Sequence, residues 1–266
     1  MNYRHAFHAG NQADCLKHAL LVSLLERLLQ KETPLAVADL HAGRGSYDLA
    51  GLEASRTGEW RHGIARLLTD PPAPLARYVR LVRRLGLYPG SPALARALLR
   101  PSDRLVLNEK HPEEYASLRA WAGDDPRIVL RHGDAYLLRG VVPPSGYRRG
   151  LVLFDPPYEA EGEHQRVAHA IREALRLAPT FVICAWYPVK HLAPVRALRA
   201  SLAGLPKLVD AALYLRPPLD PARLNGSGLI VINAPWRWVE EASAIIEALR
   251  GCLADDAQAT VHLALA

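Results

Sequence analysis

Five short apolar runs, separated by segments with helical periodicity, constrain the fold of this chain more than any other feature. The runs span residues 35–40, 102–110, 127–135, 150–158 and 180–189. Helical patterns fill the spaces between them, for example at 112–123 and 162–177. Near-continuous apolar strands that alternate with helices are typical of a parallel sheet covered on both faces. The sequence therefore predicts a large α/β domain.

The last part of the chain departs from this alternation. Residues 207–217 and 226–236 read as two strands, and the loop between them is rich in proline, glycine and polar residues. We predict an antiparallel hairpin there. The final segment, ATVHLAL, is consistent with either an added strand or a tail. The predicted architecture is a seven-stranded, mostly parallel sheet with an antiparallel C-terminal hairpin.

A helix is predicted near the N-terminus, after an irregular first segment. From Asp14 onward, leucines recur at every fourth position, namely 16, 20, 24 and 28. Asp14 fits the N-cap of this helix. On the pattern alone, Lys17 and His18 are expected to be solvated residues of an amphipathic helix.

A long segment interrupts the regular alternation between the first two strands. In a nucleotide-binding βαβ unit, the acid that ends the second strand follows the glycine turn by about 20 residues. Here Glu109 follows Gly43 by 66 positions. We therefore predict a helical insertion subdomain at 47–101, set in a core made of residues 1–46 and 102–266.

The positive charge of the chain favours a polyanionic partner and is concentrated in this insertion. The formal net charge is +6, and residues 47–101 hold nine arginines against four acids. The arginines could form a solvated cap, or an arm that holds a phosphate backbone. Arg80, Arg83 and Arg84 are the candidates for this contact with a phosphate backbone.

Composition disfavours several classes of protein. The three cysteines are far apart and form no CxxC pair, which argues against a disulfide framework or a zinc knuckle. His5, His8 and His18 could form a metal cluster, but this alternative is disfavoured and no metal site is predicted. The polar N-terminus lacks an apolar signal segment, and no apolar stretch reaches the roughly 20 residues that span a bilayer. We expect a cytoplasmic protein and, since no coiled-coil seam is visible, a monomer.

Polar residues stand at the carboxyl ends of four predicted strands, where open α/β sheets bind their ligands. They are 39–41 with the following glycine turn, Glu109, Asp134 and Asp155. One such acid alone is usually a helix cap, but four indicate a binding site. The glycine turn is neither GxGxxG nor a P-loop, which disfavours a dinucleotide or a nucleoside triphosphate. Since Glu109 could accept hydrogen bonds from ribose hydroxyls and Asp134 from an adenine amine, S-adenosyl-L-methionine fits this site.

The segment LVLFDPPYEA ends an apolar strand with an acid, two prolines and an aromatic ring. The simplest interpretation is a tight strand-ending turn. The chemical interpretation starts from the weak nucleophilicity of an exocyclic aromatic amine, whose lone pair is delocalised into the ring. Asp155 and the carbonyl of Pro156 can accept hydrogen bonds from such an amine and favour a pyramidal nitrogen that attacks a methyl sulfonium. Tyr158 can stack on a flipped base, so Asp155, Pro156 and Tyr158 are predicted to be catalytic.

Six segments together carry a resemblance to a known family. They are YRHAFHAGNQADCLKH, HAGRGSYDL, YPGSP, NEKHPEEY, DPPYE and SGLIVINAPW, and they extend from Tyr3 to Trp236. The chain resembles the J-type large-subunit ribosomal RNA adenine-N6 methyltransferases, amino-group methyltransferases with the DPPY motif. The resemblance implies a Rossmann-like class I methyltransferase fold and S-adenosyl-L-methionine-dependent methylation of the exocyclic N6 of an adenine in 23S ribosomal RNA.

The resemblance also assigns roles to individual positions. The implied cofactor contacts are His18, His41, Ser91, Glu109, Asp134, Ala135 and Asp155. The N-terminal segment is implied in substrate handling or catalysis through Tyr3, His5 and Lys17. For His18 and Lys17, this replaces the expectation that both are solvated residues of an amphipathic helix. Ala135 departs from the glycine of some relatives, but only its backbone is expected to matter.

Two alternatives remain open on the sequence. The first is a DNA N6-adenine methyltransferase, although no separate target-recognition domain is visible after Trp236. The second, from a different class, is a non-catalytic RNA-binding or assembly factor that keeps the fold. The acid at each of the four strand ends argues against the second.

Overall fold

The computed structural model describes residues 4–255 and 257–265, and Tyr3, a predicted substrate residue, lies outside them. The strands within them are β1 (Ala36–Asp39), β2 (Ser46–Tyr47), β3 (Tyr88–Pro89), β4 (Arg104–Glu109), β5 (Ile128–His132), β6 (Gly150–Phe154), β7 (Val182–Val189), β8 (Val209–Tyr214), β9 (Gly226–Ile232) and β10 (Thr260–Leu265). Eight of these strands form one sheet in the order β10-β8-β9-β7-β6-β1-β4-β5, and β2 pairs with β3.

The direction of the strands matches the predicted pattern. β5, β4, β1, β6 and β7 are parallel, whereas β9 runs antiparallel between β7 and β8. The mostly parallel sheet with an antiparallel C-terminal hairpin is confirmed. The predicted number of seven strands is wrong by one, because β10 pairs antiparallel with β8. This edge strand is only partly buried, so it lacks the apolar run that marks the central strands.

Nine α-helices occur in the described residues and cover both faces of the sheet. They are α1 (Gln12–Leu29), α2 (Leu52–Thr57), α3 (Ile64–Thr69), α4 (Ala76–Leu85), α5 (Ser91–Leu98), α6 (Pro112–Ala122), α7 (Glu163–Leu177), α8 (Leu192–Leu202) and α9 (Trp238–Leu253), with 3₁₀ helices at His5–Phe7, Glu59–His62 and Ala73–Leu75. Strand β6 shows how the faces divide. Leu151 and Leu153 pack in the cluster that contains α1 and α9, and Val152 and Phe154 pack in the one that contains α7 and α8.

Helix α1 begins before the leucine pattern. Its N-cap is Asn11, whose side chain accepts a hydrogen bond from the backbone N–H of Asp14. The expected N-cap at Asp14 is wrong, because Asp14 lies in the first turn and is 2% exposed. The expectation of solvated side chains at Lys17 and His18 is also wrong, since they are 4% and 1% exposed. Helix α1 contacts α4, α5, α9 and β9. Because it is covered on several sides, it buries side chains that an amphipathic surface helix would expose to solvent.

The arginine-rich segment 47–101 forms short helices that pack on α1 and α9. Its buried residues, such as Ile64 and Tyr78, join the same apolar cluster as the leucines of α1. Ion pairs add to this packing, for example between Arg77 and Glu26 of α1. The segment also supplies helix α5, whose first residue lies at the site described next.

Candidate active site

A cavity with a volume of about 1210 Å³ lies at the carboxyl ends of the parallel strands. The predicted site residues that line it are His5, Lys17, His18, His41, Ser91, Glu109, Asp134, Ala135, Asp155, Pro156 and Tyr158. Arg80, Arg83 and Arg84 are exposed residues of α4 that do not line it. The strand ends and the N-terminal segment therefore meet in one place, whereas the predicted RNA arm lies elsewhere on the surface.

The DPPY loop leaves β6 and is held from two sides. The backbone N–H of Asp155 donates a hydrogen bond to Nδ1 of His41, at 3.2 Å. Tyr158 adopts a left-handed backbone conformation with φ of 53°, which is uncommon for a bulky residue. Its hydroxyl donates to the carbonyl oxygen of Trp186 at 2.7 Å, and its ring lies 4.5 Å from that of His164. These contacts fix Asp155 and Tyr158 relative to each other, as the two prolines predict.

Lys17 connects the N-terminal helix to the DPPY loop. Its ammonium lies 2.6 Å from Oδ2 of Asp155 and 2.9 Å from Oδ1 of Asp14. Burial opposes the charge of Lys17, but the two carboxylates outweigh it and raise the lysine pKa above its usual value. Burial raises the pKa of Asp155, and Lys17 opposes that rise. The ammonium thus acts as the counter-ion of the predicted catalytic carboxylate.

Asp14 is a site residue that the sequence analysis assigned to a helix cap. It accepts hydrogen bonds from the backbone N–H of Gly10 at 2.9 Å and interacts with Nε2 of His5 at 3.0 Å. Burial acts to raise its pKa, yet the interactions with His5 and Lys17 hold it well below the ordinary value. The missed signal is the spacing of Asp14 and Lys17, which places them on one helix face.

Two histidines, the buried His18 and the half-buried His41, line the cavity in the neutral form. Burial lowers the pKa of His18 to about 3 and that of His41 to about 3. Nδ1 of His18 lies 3.0 Å from the hydroxyl of Tyr88, which in turn contacts Tyr78 of α4. His41 accepts the N–H of Asp155 at Nδ1, so its proton is on Nε2.

The ends of β1 and β4 form a cradle of backbone and carboxylate groups. Glu109 accepts hydrogen bonds from the backbone N–H groups of Gly43 at 2.8 Å and His111 at 2.7 Å. Gly43 has φ of 60°, and a Cβ there would lie 2.3 Å from the hydroxyl of Tyr47, so the close turn requires glycine. A second acid, Asp39, is 1% exposed and accepts a hydrogen bond from the hydroxyl of Ser91 at 2.6 Å.

Asp134 lies at the next strand end, within a polar wall. It accepts hydrogen bonds from Lys110 at 3.0 Å and from the backbone N–H of Tyr136 at 2.9 Å. Although burial opposes the charge, these bonds lower the pKa of Asp134. Tyr136 donates to Glu163, and the guanidinium of Arg166 lies 4.4 Å from its ring centre. These last three residues were missed, because no single motif marks them.

The cavity suits an adenosine-bearing cofactor together with a second ligand. A carboxylate oxygen accepts more than one hydrogen bond, so Glu109 and Asp134 can still receive ribose hydroxyls and an amine. The volume exceeds the range of about 300–1,000 Å³ for pockets that hold one drug-sized ligand. No group of three or more His, Cys, Asp or Glu side chains in residues 4–255 and 257–265 is placed to hold a metal ion. In the same ranges, no helix has the length and apolar character needed to cross a membrane.

The sheet order, the DPPY loop and the cavity define a protein with the class I methyltransferase fold. The sequence model of the family described as "Ribosomal RNA large subunit methyltransferase D, RlmJ" matches residues 32–264. This chain belongs to that family of ribosomal RNA methyltransferases, which confirms the resemblance stated above.

Individual relatives agree with this assignment. The chain is 38% identical to the ribosomal RNA large subunit methyltransferase J of Escherichia coli K12, over 92% of this chain and 91% of the relative. It is 38% identical to the protein of the same name from Haemophilus influenzae, over 89% and 88% of the two chains. A crystal structure of a Legionella pneumophila protein superposes with a TM-score of 0.89 at 30% identity, and covers 97% of this chain and 98% of that one.

Proposed function

We propose that this protein transfers a methyl group from S-adenosyl-L-methionine to the exocyclic N6 of an adenine in 23S ribosomal RNA. The observation that carries the proposal is the position of Asp155. Its carboxylate lies on the cavity wall, is held by Lys17 at 2.6 Å, and shares the cavity with Glu109 and Asp134. The related E. coli and H. influenzae proteins are named as large-subunit ribosomal RNA methyltransferases, which supports this class of substrate.

The residues that would hold the cofactor lie along the acidic wall of the cavity. Glu109 would accept the ribose hydroxyls, Asp134 the adenine amine, and the backbone of Ala135 would contact the adenine. Ser91, His18 and His41 line the wall between them and the DPPY loop. When bound, S-adenosyl-L-methionine supplies an electrophilic methyl group.

The DPPY loop would prepare the nitrogen that attacks. Lys17 holds Oδ2 of Asp155, which leaves Oδ1 to accept a hydrogen bond from the amine of the adenine. The carbonyl of Pro156 would accept the second amine hydrogen, so that the nitrogen lone pair is turned away from the ring. Because burial raises the pKa of Asp155, this carboxylate can also take up the proton that the methylated nitrogen releases.

Tyr158 would supply the surface on which the flipped base stacks. Its ring is half-buried next to His164, and its hydroxyl is tied to Trp186, so the ring is fixed before the base arrives. His5 would act with Lys17 in positioning the substrate, since both contact Asp14. Tyr3 lies outside the described residues, and its role in handling RNA rests on the family resemblance.

The test is methylation of protein-free 23S ribosomal RNA, with nucleosides analysed by mass spectrometry. We expect N6-methyladenosine with the wild type, and a fall in kcat of at least about 100-fold with Asp155→Ala, because the acceptor of the amine proton is lost. Wild-type rates from Asp155→Ala with an intact circular dichroism spectrum would overturn the mechanism.

Two controls separate the alternatives. Duplex DNA methylated as fast as the RNA would favour a DNA methyltransferase. Absence of S-adenosyl-L-methionine binding in calorimetry, together with RNA binding, would favour a non-catalytic assembly factor.

A further inference from the structure

The two ends of the cavity differ in charge. One end carries the carboxylates of Glu109, Glu114 and Asp134. The other end is built from the segment after β7, the start of α8 and the loop between β8 and β9. The cavity residues of this second end are Lys190, His191, Pro194, Ala222 and Leu224, none of which is acidic. The acid of the neighbouring N-terminal side, Glu59, is paired with His8 at 2.8 Å. The proposed chemistry of methyl transfer gives this basic end no role.

The loop at the basic end, residues 215–225, is anchored by Asn225. This side chain is fully buried and donates hydrogen bonds to the carbonyl oxygens of Lys190 at 2.8 Å and Asp220 at 2.7 Å. Its backbone N–H donates to Val189, the last residue of β7, and its carbonyl oxygen accepts from Leu215. The loop is therefore fixed to the end of β7, and the position of Lys190 is fixed with it.

Lys190 is an exposed cation that directly follows β7. The other lysines and the arginine that line the cavity are paired: Lys17 with Asp14 and Asp155, Lys110 with Asp134, and Arg166 with Glu163 and Asp134. Among residues 4–255 and 257–265, no acid forms an ion pair with Lys190.

The N-terminal segment lies within reach of this charge. Glu59 raises the pKa of His8, and the positive charge of Lys190 opposes that rise. Lys190 thus stands at the rim of the cavity that also carries the N-terminal segment.

The strand pairing gives the position of Lys190 relative to Asp155. β6 and β7 are paired so that Phe154 lies opposite Ala185, which places Asp155 next to Trp186. Lys190 follows Trp186 by four residues, or about 13 Å of extended strand. Lys190 lines the same cavity as Asp155 and Tyr158.

We propose that Lys190 and the loop 215–225 form the contact with the RNA backbone next to the target nucleotide. Lys190 binds a phosphate there, and Ala222 and Leu224 lie against the sugar of the flipped nucleotide. This inference rests on the proposed function and adds the surface that orients the RNA. The acidic end then receives the cationic cofactor and the basic end receives the polyanion, so that each substrate occupies its own end of the cavity.

The first test compares Lys190→Ala with Lys31→Ala. Lys31 is an exposed lysine that precedes β1, and so lies near the amino ends of the parallel strands, opposite the cavity. For Lys190→Ala we expect the KM for 23S ribosomal RNA to rise about five- to tenfold, with kcat and the Kd of S-adenosyl-L-methionine unchanged. The slope of log KM against log salt should fall by about 0.7–0.9, as for the loss of one phosphate contact. Lys31→Ala should behave as the wild type, and Lys190→Arg should retain the low KM.

A second test changes the charge of the loop at Ala222, an exposed residue that tolerates a side chain. Ala222→Glu should raise the KM for RNA and Ala222→Lys should lower it, because the added charge lies beside the proposed phosphate. An unchanged KM and salt slope for Lys190→Ala, or equal effects of Ala222→Glu and Ala222→Lys, would overturn the inference. A wild type that binds RNA with the same salt dependence but never methylates it would instead overturn the proposed function.

Discussion

Helices α1 and α4 both carry cations in a helical pattern, yet they place them in opposite surroundings. Lys17 of α1 is 4% exposed and lies between two carboxylates, at 2.9 Å and 2.6 Å. Arg83 and Arg84 of α4 are exposed and donate to backbone carbonyl oxygens. One partner of Lys17 is three residues away on its own helix, and the other, Asp155, is 138 residues away in sequence. The buried cation thus lies at the proposed reactive site, whereas the exposed ones mark at most a surface for binding.

The largest expected effect comes from removing the buried cation. Lys17→Met should lower the free energy of unfolding at pH 8 by about 3–5 kcal/mol, because Asp155 loses its counter-ion and Asp14 keeps only His5. Arg80→Met, which changes an exposed residue of α4, should stay within about 0.5 kcal/mol of the wild type. Urea unfolding measures both.

The loss in Lys17→Met should shrink as the pH falls towards 4. Asp155 without Lys17 can protonate, since burial already favours its neutral form. Equal losses for Lys17→Met and Arg80→Met, or a loss that does not change with pH, would contradict the distinction between the two helices.

The next effect contrasts two buried carboxyls, one with a cation and one without. Asp14, beside Lys17, has a lowered pKa, whereas burial raises the pKa of Asp39 to about 7, opposed only in part by the hydroxyl of Ser91. The carboxyl of Asp39 has a higher pKa in the folded protein than in the unfolded chain, where it is about 3.9. Below about pH 3.9 this difference does not affect the free energy of unfolding. As the pH rises from about 3.9 to the folded pKa, the free energy of unfolding falls progressively. The wild type should therefore lose up to about 4 kcal/mol at this group between pH 4 and pH 7.

Asp39→Asn removes this titration. Its free energy of unfolding, measured relative to the wild type, should increase between pH 4 and pH 7 and then level off. Asp124→Asn, at an exposed position, is the matched control and should show no such change. A flat difference for Asp39→Asn would mean that Asp39 is ionised in the folded protein throughout this range.

The parts of the site that sequence reasoning found have a common origin. Asp155, Glu109 and Asp134 were predictable because the carboxyl ends of parallel strands meet at one edge of a sheet, so local strand patterns already imply their proximity. Asp14 was assigned to a helix cap because its spacing from Lys17 does not reveal that both side chains are buried, which depends on the elements that cover α1. The same holds for the pairing of Tyr136 with Glu163 and for the position of Lys190 beside the loop 215–225. The added strand β10 was left open because its pattern is that of a partly exposed edge.

The smallest expected effect tests whether the exposed cations of α4 bind at all. Simultaneous charge reversal of Arg80, Arg83 and Arg84 to glutamate should raise the KM for RNA about tenfold, if these residues contact phosphates, and should leave the Kd of S-adenosyl-L-methionine unchanged. The slope of log KM against log salt should also fall by about 2, because phosphate contacts are lost, whereas unfolding of the variant would not change the slope in this way. A loss of cofactor affinity instead would mean that α4 supports the site, for example through Tyr78, which contacts Tyr88 and through it His18. In that case the cations of α1 and α4 would differ in exposure, but the exposed arginines of α4 would not bind RNA. The RNA-binding surface would then be confined to the mouth of the cavity.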